Sequence, residues 1–118
     1  MKKLILAATI LVFLSGCGMN TQTYEISDVT KARVILLGKK KGQGYIHGIS
    51  IIGEGNIEGK AVISLILHDG PYKTENLSGR INFSWGGDWY SDTVEIRYNP
   101  IAVTNGRLRL KYKFKDLK

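Results

Sequence analysis

The chain has 118 residues, 43% of them hydrophobic and 23% charged, with 17 Lys and Arg against 10 Asp and Glu for a net charge of +7. That size allows one domain with a single modest core and leaves no room for a second. One cysteine and two histidines exclude an internal disulfide and leave no clustered Cys, His and carboxylate spacing for a metal, so no metal or cofactor is expected.

Lys2 and Lys3 precede an apolar run from Leu4 to Leu14. Such a run makes about 16 Å of helix, too short for a hydrocarbon core of about 30 Å, and reads as an export signal rather than a permanent span. It ends on Leu14-Ser15-Gly16-Cys17, which closely resembles the lipobox of bacterial lipoproteins. The resemblance covers residues 1–17. It implies cleavage before Cys17, a diacylglyceryl thioether on that residue, and a further amide-linked chain such as palmitate. Gly18 in the next position is similar to lipoproteins passed to an outer membrane, in a host that has one. The other reading is an ordinary secretory signal, which leaves a lone thiol in an oxidising compartment without a role. Two or three acyl chains anchor a domain stably, since each buried CH₂ contributes about 0.8 kcal/mol.

The expected organisation is a signal peptide over 1–16, a lipidated cysteine and tether over 17–23, and one β domain over 24–118. Without residues 1–16, 15 Lys and Arg face 10 Asp and Glu, a net +5. That balance favours anionic lipid head groups, acidic glycans or phosphate-bearing envelope polymers. Nucleic acid lies in the wrong compartment. The segment "GMNTQT" reads as a tether of at most about 20 Å.

From Tyr24 onward, short alternating apolar runs rich in β-branched and aromatic residues are separated by Gly, Asn, Asp and Pro. No stretch keeps a helical period, so the domain is expected to be all-β. Strands are predicted over 24–29, 31–37, 45–52, 60–67, 79–85, 89–98, 101–104 and 107–115. The segments "GKKKGQG", "GEGNIEG" and "HDGPY" are expected as turns. The run at 60–67 is apolar enough for a strand covered on both faces. Roughly seven or eight antiparallel strands imply a small sandwich or barrel.

Asn105-Gly106 is the strongest hairpin signal, because a two-residue type I′ turn needs positive φ at both positions. It would pair Val103 with Leu108 and, through a bulge at Pro100, Tyr98 with Tyr112. Leu108, Leu110, Tyr112 and Phe114 then form a buried face, and Arg107, Arg109, Lys111, Lys113 and Lys115 a charged one. In this register Glu95 is the sole acid opposite the cations, and Arg97 cancels it. The row protects an outer strand from aggregation, or it contacts an anionic surface, joined by Lys39, Lys40 and Lys41.

Trp85, Trp89 and Tyr90 flank Gly86-Gly87. They read as a contact platform for sugar rings or a protein, or as a cross-strand pair that stiffens a hairpin. His47, His68 and Asp69 form no nucleophile arrangement. The expected function is a non-enzymatic, membrane-anchored binding module of the envelope. The alternatives are a protein-directed inhibitor or exclusion factor and a structural subunit of an envelope complex.

Overall fold

The computed structural model describes residues 20–117; the expected signal segment, Cys17 and the first tether residues lie outside the described residues. Five strands follow in chain order: β1 (Thr21–Ile26), β2 (Arg33–Gly38), β3 (Ile46–Leu67), β4 (Gly70–Asp88) and β5 (Thr93–Asp116). They form one antiparallel sheet, and no helix occurs among the described residues. The all-β, antiparallel expectation agrees with this. The strand count does not: five strands, three of them very long, replace the seven or eight expected, and the sheet is not closed into a barrel.

β3 and β4 pair along almost their whole length, and β5 lies on the other side of β3. The outer edge of β5 carries β1 and β2 in tandem, Thr21–Ile26 against Lys113–Leu108 and Arg33–Gly38 against Tyr98–Thr93. β5, the last of the five strands in chain order, is therefore interior. β1 begins three residues earlier than expected, leaving only residues 18–20 between Cys17 and the sheet.

Successive strand residues point to opposite faces, so an alternating sequence buries one face. Ile51, Ile63, Ile96, Tyr98, Leu108, Leu110 and Phe114 are fully buried in a single core. In the 60–67 run Ala61, Ile63 and Leu65 are buried while Val62 and Ser64 are only partly so, so over 60–65 the strand is covered on one face and not on two, and Ile66, past a register slip at Leu65/Ile66, is buried again. With no helix to cover it, the apolar face covers itself. At about 3.3 Å per residue β3 would run about 70 Å if straight, yet the longest dimension of the molecule is 42 Å. Ile49 and Leu65, near opposite ends of β3, line one small cavity with Trp85 and Trp89. The long strands thus bend, and the two halves of the sheet meet across the core.

The bend is marked by register slips at Ile57/Lys60 against β4, and at Glu58/Gly59 and Lys60/Ala61 against β5. Ile57 lies between Gly79 and Gly106, whose φ values are 63° and 141°, and Gly59 has φ 125°. A Cβ at Gly59 would overlap the carbonyl oxygen of Ala102, and one at Gly106 the carbonyl oxygen of Asn56. Bulges with glycine are how a sheet turns a corner without ending.

The two segments expected as turns, "GEGNIEG" and Asn105-Gly106, are therefore interior to β3 and β5. The proposed hairpin is absent, and Val103 and Leu108 follow one another along the same strand. The bulge expected at Pro100 does exist, but it faces β3: Lys60 pairs with Ala102 and Ala61 with Pro100, leaving Ile101 as the extra residue. The actual two-residue reversal is His68-Asp69, with φ 54° and 67°, the positive pair that a type I′ turn requires. It falls inside the expected "HDGPY" turn.

Gly59→Ala is expected to lose at least about 2–3 kcal/mol, from the strained φ plus the backbone overlap. Gly70→Ala, where a Cβ meets open space, should change stability by less than about 1 kcal/mol. Urea denaturation of the two variants, read as the shift in midpoint, checks the difference.

Candidate functional site

The alternation in β5 places Leu108, Leu110, Tyr112 and Phe114 in the core and turns Arg107, Arg109, Lys111, Lys113 and Lys115 outward, as expected. Their surroundings differ from the expectation. β5 is flanked by β1 and β3 over Leu108–Lys113, so Arg109, Lys111 and Lys113 do not guard a sheet edge. Glu25 of β1 lies opposite Arg109 and accepts from its Nε at 2.9 Å. On the other side Glu54 of β3 takes Lys111 Nζ at 2.8 Å and Arg109 Nη1 at 4.0 Å. The middle of the row is thus neutralised by two acids from neighbouring strands. Glu95 and Arg97, expected opposite Lys113 and Lys115, instead oppose Leu36 and Val34 of β2 and pair with each other at 2.6 Å.

The hydrogen bond from Lys111 lowers the Glu54 carboxyl below its ordinary value, with the charges of Lys111 and Arg109 adding to the effect and partial desolvation opposing it. A lowered carboxyl favours the folded state above its unfolded value, and that contribution disappears as pH falls through the lowered value. Removing the donor in Lys111→Ala is expected to move the Glu54 titration midpoint upward, toward that of a free glutamate. An NMR titration of the Glu54 side-chain carboxyl carbon reads the shift directly, and an unmoved midpoint would contradict it.

The ends of the row are different. Among the described residues, no carboxylate lies within ion-pair distance of Arg107, Lys113 or Lys115. Lys113 and Lys115 line an open groove of about 800 Å³ together with Lys40, Lys41, His47, Asp116 and Asn20. The loop that brings Lys40 and Lys41 there joins Gly38 of β2 to Ile46 of β3.

Gln43 fixes the loop. It is the buried polar residue of the core region, and its Nε2 donates to the Phe114 carbonyl at 2.6 Å and to Asp116 Oδ1 at 3.3 Å. Its Oε1 accepts from Lys40 N at 2.9 Å, and Asp116 Oδ2 accepts from Gly44 N at 2.7 Å. A side chain buried with both its donor and acceptor used holds its backbone partners in one place. Sequence reading passed over Gln43 because the two groups to which its side chain donates are more than seventy residues away. Lys39 takes another direction, pairing with Asp92 at 3.3 Å. Two of the three loop lysines therefore join the row.

The aromatic candidates separate in the same way. Trp85 and Trp89 are only 5% and 6% exposed. Trp85 packs against Phe83 with the rings tilted 45° and their centroids 4.7 Å apart, and Trp89 Nε1 donates to the Thr93 carbonyl at 3.0 Å. Gly86 and Gly87 do not turn the chain; they pair with Ser50 and Ile49 within β4. The Trp pair is core, and Tyr90, 70% exposed, is the member left on the surface. His68 sits in the β3–β4 turn, apart from the groove that His47 lines.

Trp85→Ala is expected to cost about 3–5 kcal/mol, the penalty for emptying a core aromatic site. Tyr90→Ala should stay within about 0.5 kcal/mol, as for other exposed positions. Chemical denaturation distinguishes them.

Residues 1–17 match the family described as the prokaryotic membrane lipoprotein lipid attachment site. The match does not extend into the β domain. It supports a bacterial lipoprotein anchored to a membrane through lipid on Cys17. No curated protein matches the chain.

Proposed function

We propose that the protein is a non-enzymatic binding module of the bacterial envelope, held by acylated Cys17 with the basic end of its sheet against an anionic surface. The observation that carries this reading is a coincidence of position. Asn20, three residues from Cys17, lines the same groove as Lys40, Lys41, Lys113 and Lys115. Four Cα steps separate Cys17 from Thr21, a reach of at most about 14 Å. The cations at this end are the ones that the lipid anchor keeps near a membrane. Each contributes about 1 kcal/mol beside an anionic leaflet, and the effect fades over a Debye length of about 8 Å. Arg109 and Lys111, already paired with Glu25 and Glu54, contribute less. Gly18 favours the outer membrane as the site, in a host that has one.

A protein-directed role has one feature in its favour. Among the described residues no strand pairs with the outer edge of β2, where Gln22 Nε2 donates to the Gly38 carbonyl at 3.0 Å, and its Val34 and Leu36 are exposed. An extended segment of another protein could add to such an edge. An inhibitor, an exclusion factor and a subunit of an envelope complex would all use it in this way.

The test is cosedimentation of the chain from Gly18 onward, free of acyl groups and of the apolar run Leu4–Leu14, with vesicles that contain phosphatidylglycerol. Binding should fall with salt, and Lys113→Glu with Lys115→Glu should weaken it at least about tenfold. Unchanged binding in that correctly folded variant would falsify the surface-contact role. A protein-directed role would leave the vesicle experiment flat and place the sensitivity in Val34 and Leu36.

A further inference from the structure

The same end of the sheet carries apolar surface that the charge argument does not use. Tyr45 is 73% exposed and Leu117 is 67% exposed. They lie in different parts of the chain, and a hydrogen bond from Leu117 N to the Tyr45 carbonyl at 3.2 Å brings them together. Each is the chain neighbour of a residue at the rim of the basic groove. Tyr45 follows Gly44, whose N–H donates to Asp116, and Leu117 follows Asp116 itself. Lys40, Lys41 and Lys115 line the groove beside them.

Tyrosine and leucine flanked by lysines is the composition that settles at a membrane–water boundary. The tyrosine ring occupies the head-group level, the aliphatic side chain reaches the acyl boundary, and the lysine stems lie along apolar surface with their heads in water. Exposed apolar side chains are ordinary when scattered singly. Here the pair is held by a backbone hydrogen bond, borders the cations, and sits at the end where the chain leaves for its lipid anchor.

We infer that Tyr45 and Leu117 form an apolar foot that enters the head-group layer of the membrane holding Cys17, so that the domain stands on this end with its bend pointing away. The inference rests on the reading that the basic end faces the membrane, and it commits that end to a bilayer rather than to a soluble envelope polymer. A short tether holds the foot near the surface, the lysines draw it to anionic lipid, and the foot fixes its orientation. Lipid on Cys17 alone would leave the domain free to rotate about its tether.

The experiment uses the full lipidated chain in vesicles of phosphatidylethanolamine and phosphatidylglycerol. Cys17 is the single cysteine and is acylated, so a thiol introduced as Tyr45→Cys, Leu117→Cys or Ile101→Cys takes an environment-sensitive fluorophore at one position. Ile101, exposed at the bend, is the control. The label at 45 or 117 should gain at least about twofold in emission with a blue shift on entering vesicles, and the label at 101 should not change. Tyr45→Ser should reduce the gain at 117. The label at 117 leaves Tyr45 in place, so the test survives if the variant at 45 fails to fold.

Labels at 45 and 117 that stay as water-exposed as the label at 101 would overturn the foot. So would a response to an anionic wall polymer with none to vesicles. If the labels enter the bilayer while cosedimentation of the unacylated chain shows no salt dependence, the foot stands and the charge reading falls. If cosedimentation depends on salt and on Lys113 and Lys115 but the labels stay wet, the charge reading stands and the foot falls.

Discussion

A sheet with one apolar face must have that face covered, and in this domain no other element does so. The fold depends on a row of backbone contacts in the middle of its long strands, where Gly59 approaches Ala102 and Gly106 approaches Asn56 with no room for a side chain. Because the strands bend there, Ile49 comes to the same cavity as Leu65, and one surface becomes two facing walls of a core. Each strand is continuous through the corner, so the hydrogen-bond ladder of β3 with β5 extends from Ile46 to Ile66. Few backbone groups need capping, which is economical for a domain without disulfides.

That constraint also sets where charge appears. β5 passes between β1 and β3, so its outward side chains meet carboxylates from both neighbours along the part of the row that holds Arg109 and Lys111. Toward the end of the strand the neighbours supply threonine, serine and glycine instead, and the 39–45 loop supplies lysine. A uniform sequence pattern therefore gives a surface that is neutral in the middle and positive at the end near the chain's entry. Gln43 and Asp116 hold that end together through hydrogen bonds that depend on the completed β5.

The period-two pattern of "RLRLKYKFK" was enough to read which side chains are buried, because alternation fixes the face regardless of the partner strand. The lipid attachment site was equally legible, since order and spacing within a short segment carry it. Asn105-Gly106 misled for a physical reason. A glycine at positive φ marks a departure from the extended path, but whether the chain reverses or bends depends on what the neighbouring strand does. Here β3 runs past without interruption, and the same chemistry makes a bulge. The true turn, His68-Asp69, uses residues that tolerate positive φ less readily. Glu25 and Glu54 could not be assigned to the cations from sequence because register between distant strands is a tertiary property, and Trp85 and Trp89 lost their surface role to the core for the same reason.

The central position of β5 has a consequence for how the molecule is made. Among the described residues β1 and β2 hydrogen-bond within the sheet to β5 alone, and β5 is the last of the five strands in chain order. The β3–β4 hairpin can close early on local contacts, but the edge strands wait for the end of the chain. A chain that emerges N-terminus first therefore leaves β1 and β2 without strand partners until β5 follows. The order of strands in space thus delays closure of the sheet until its fifth strand is available.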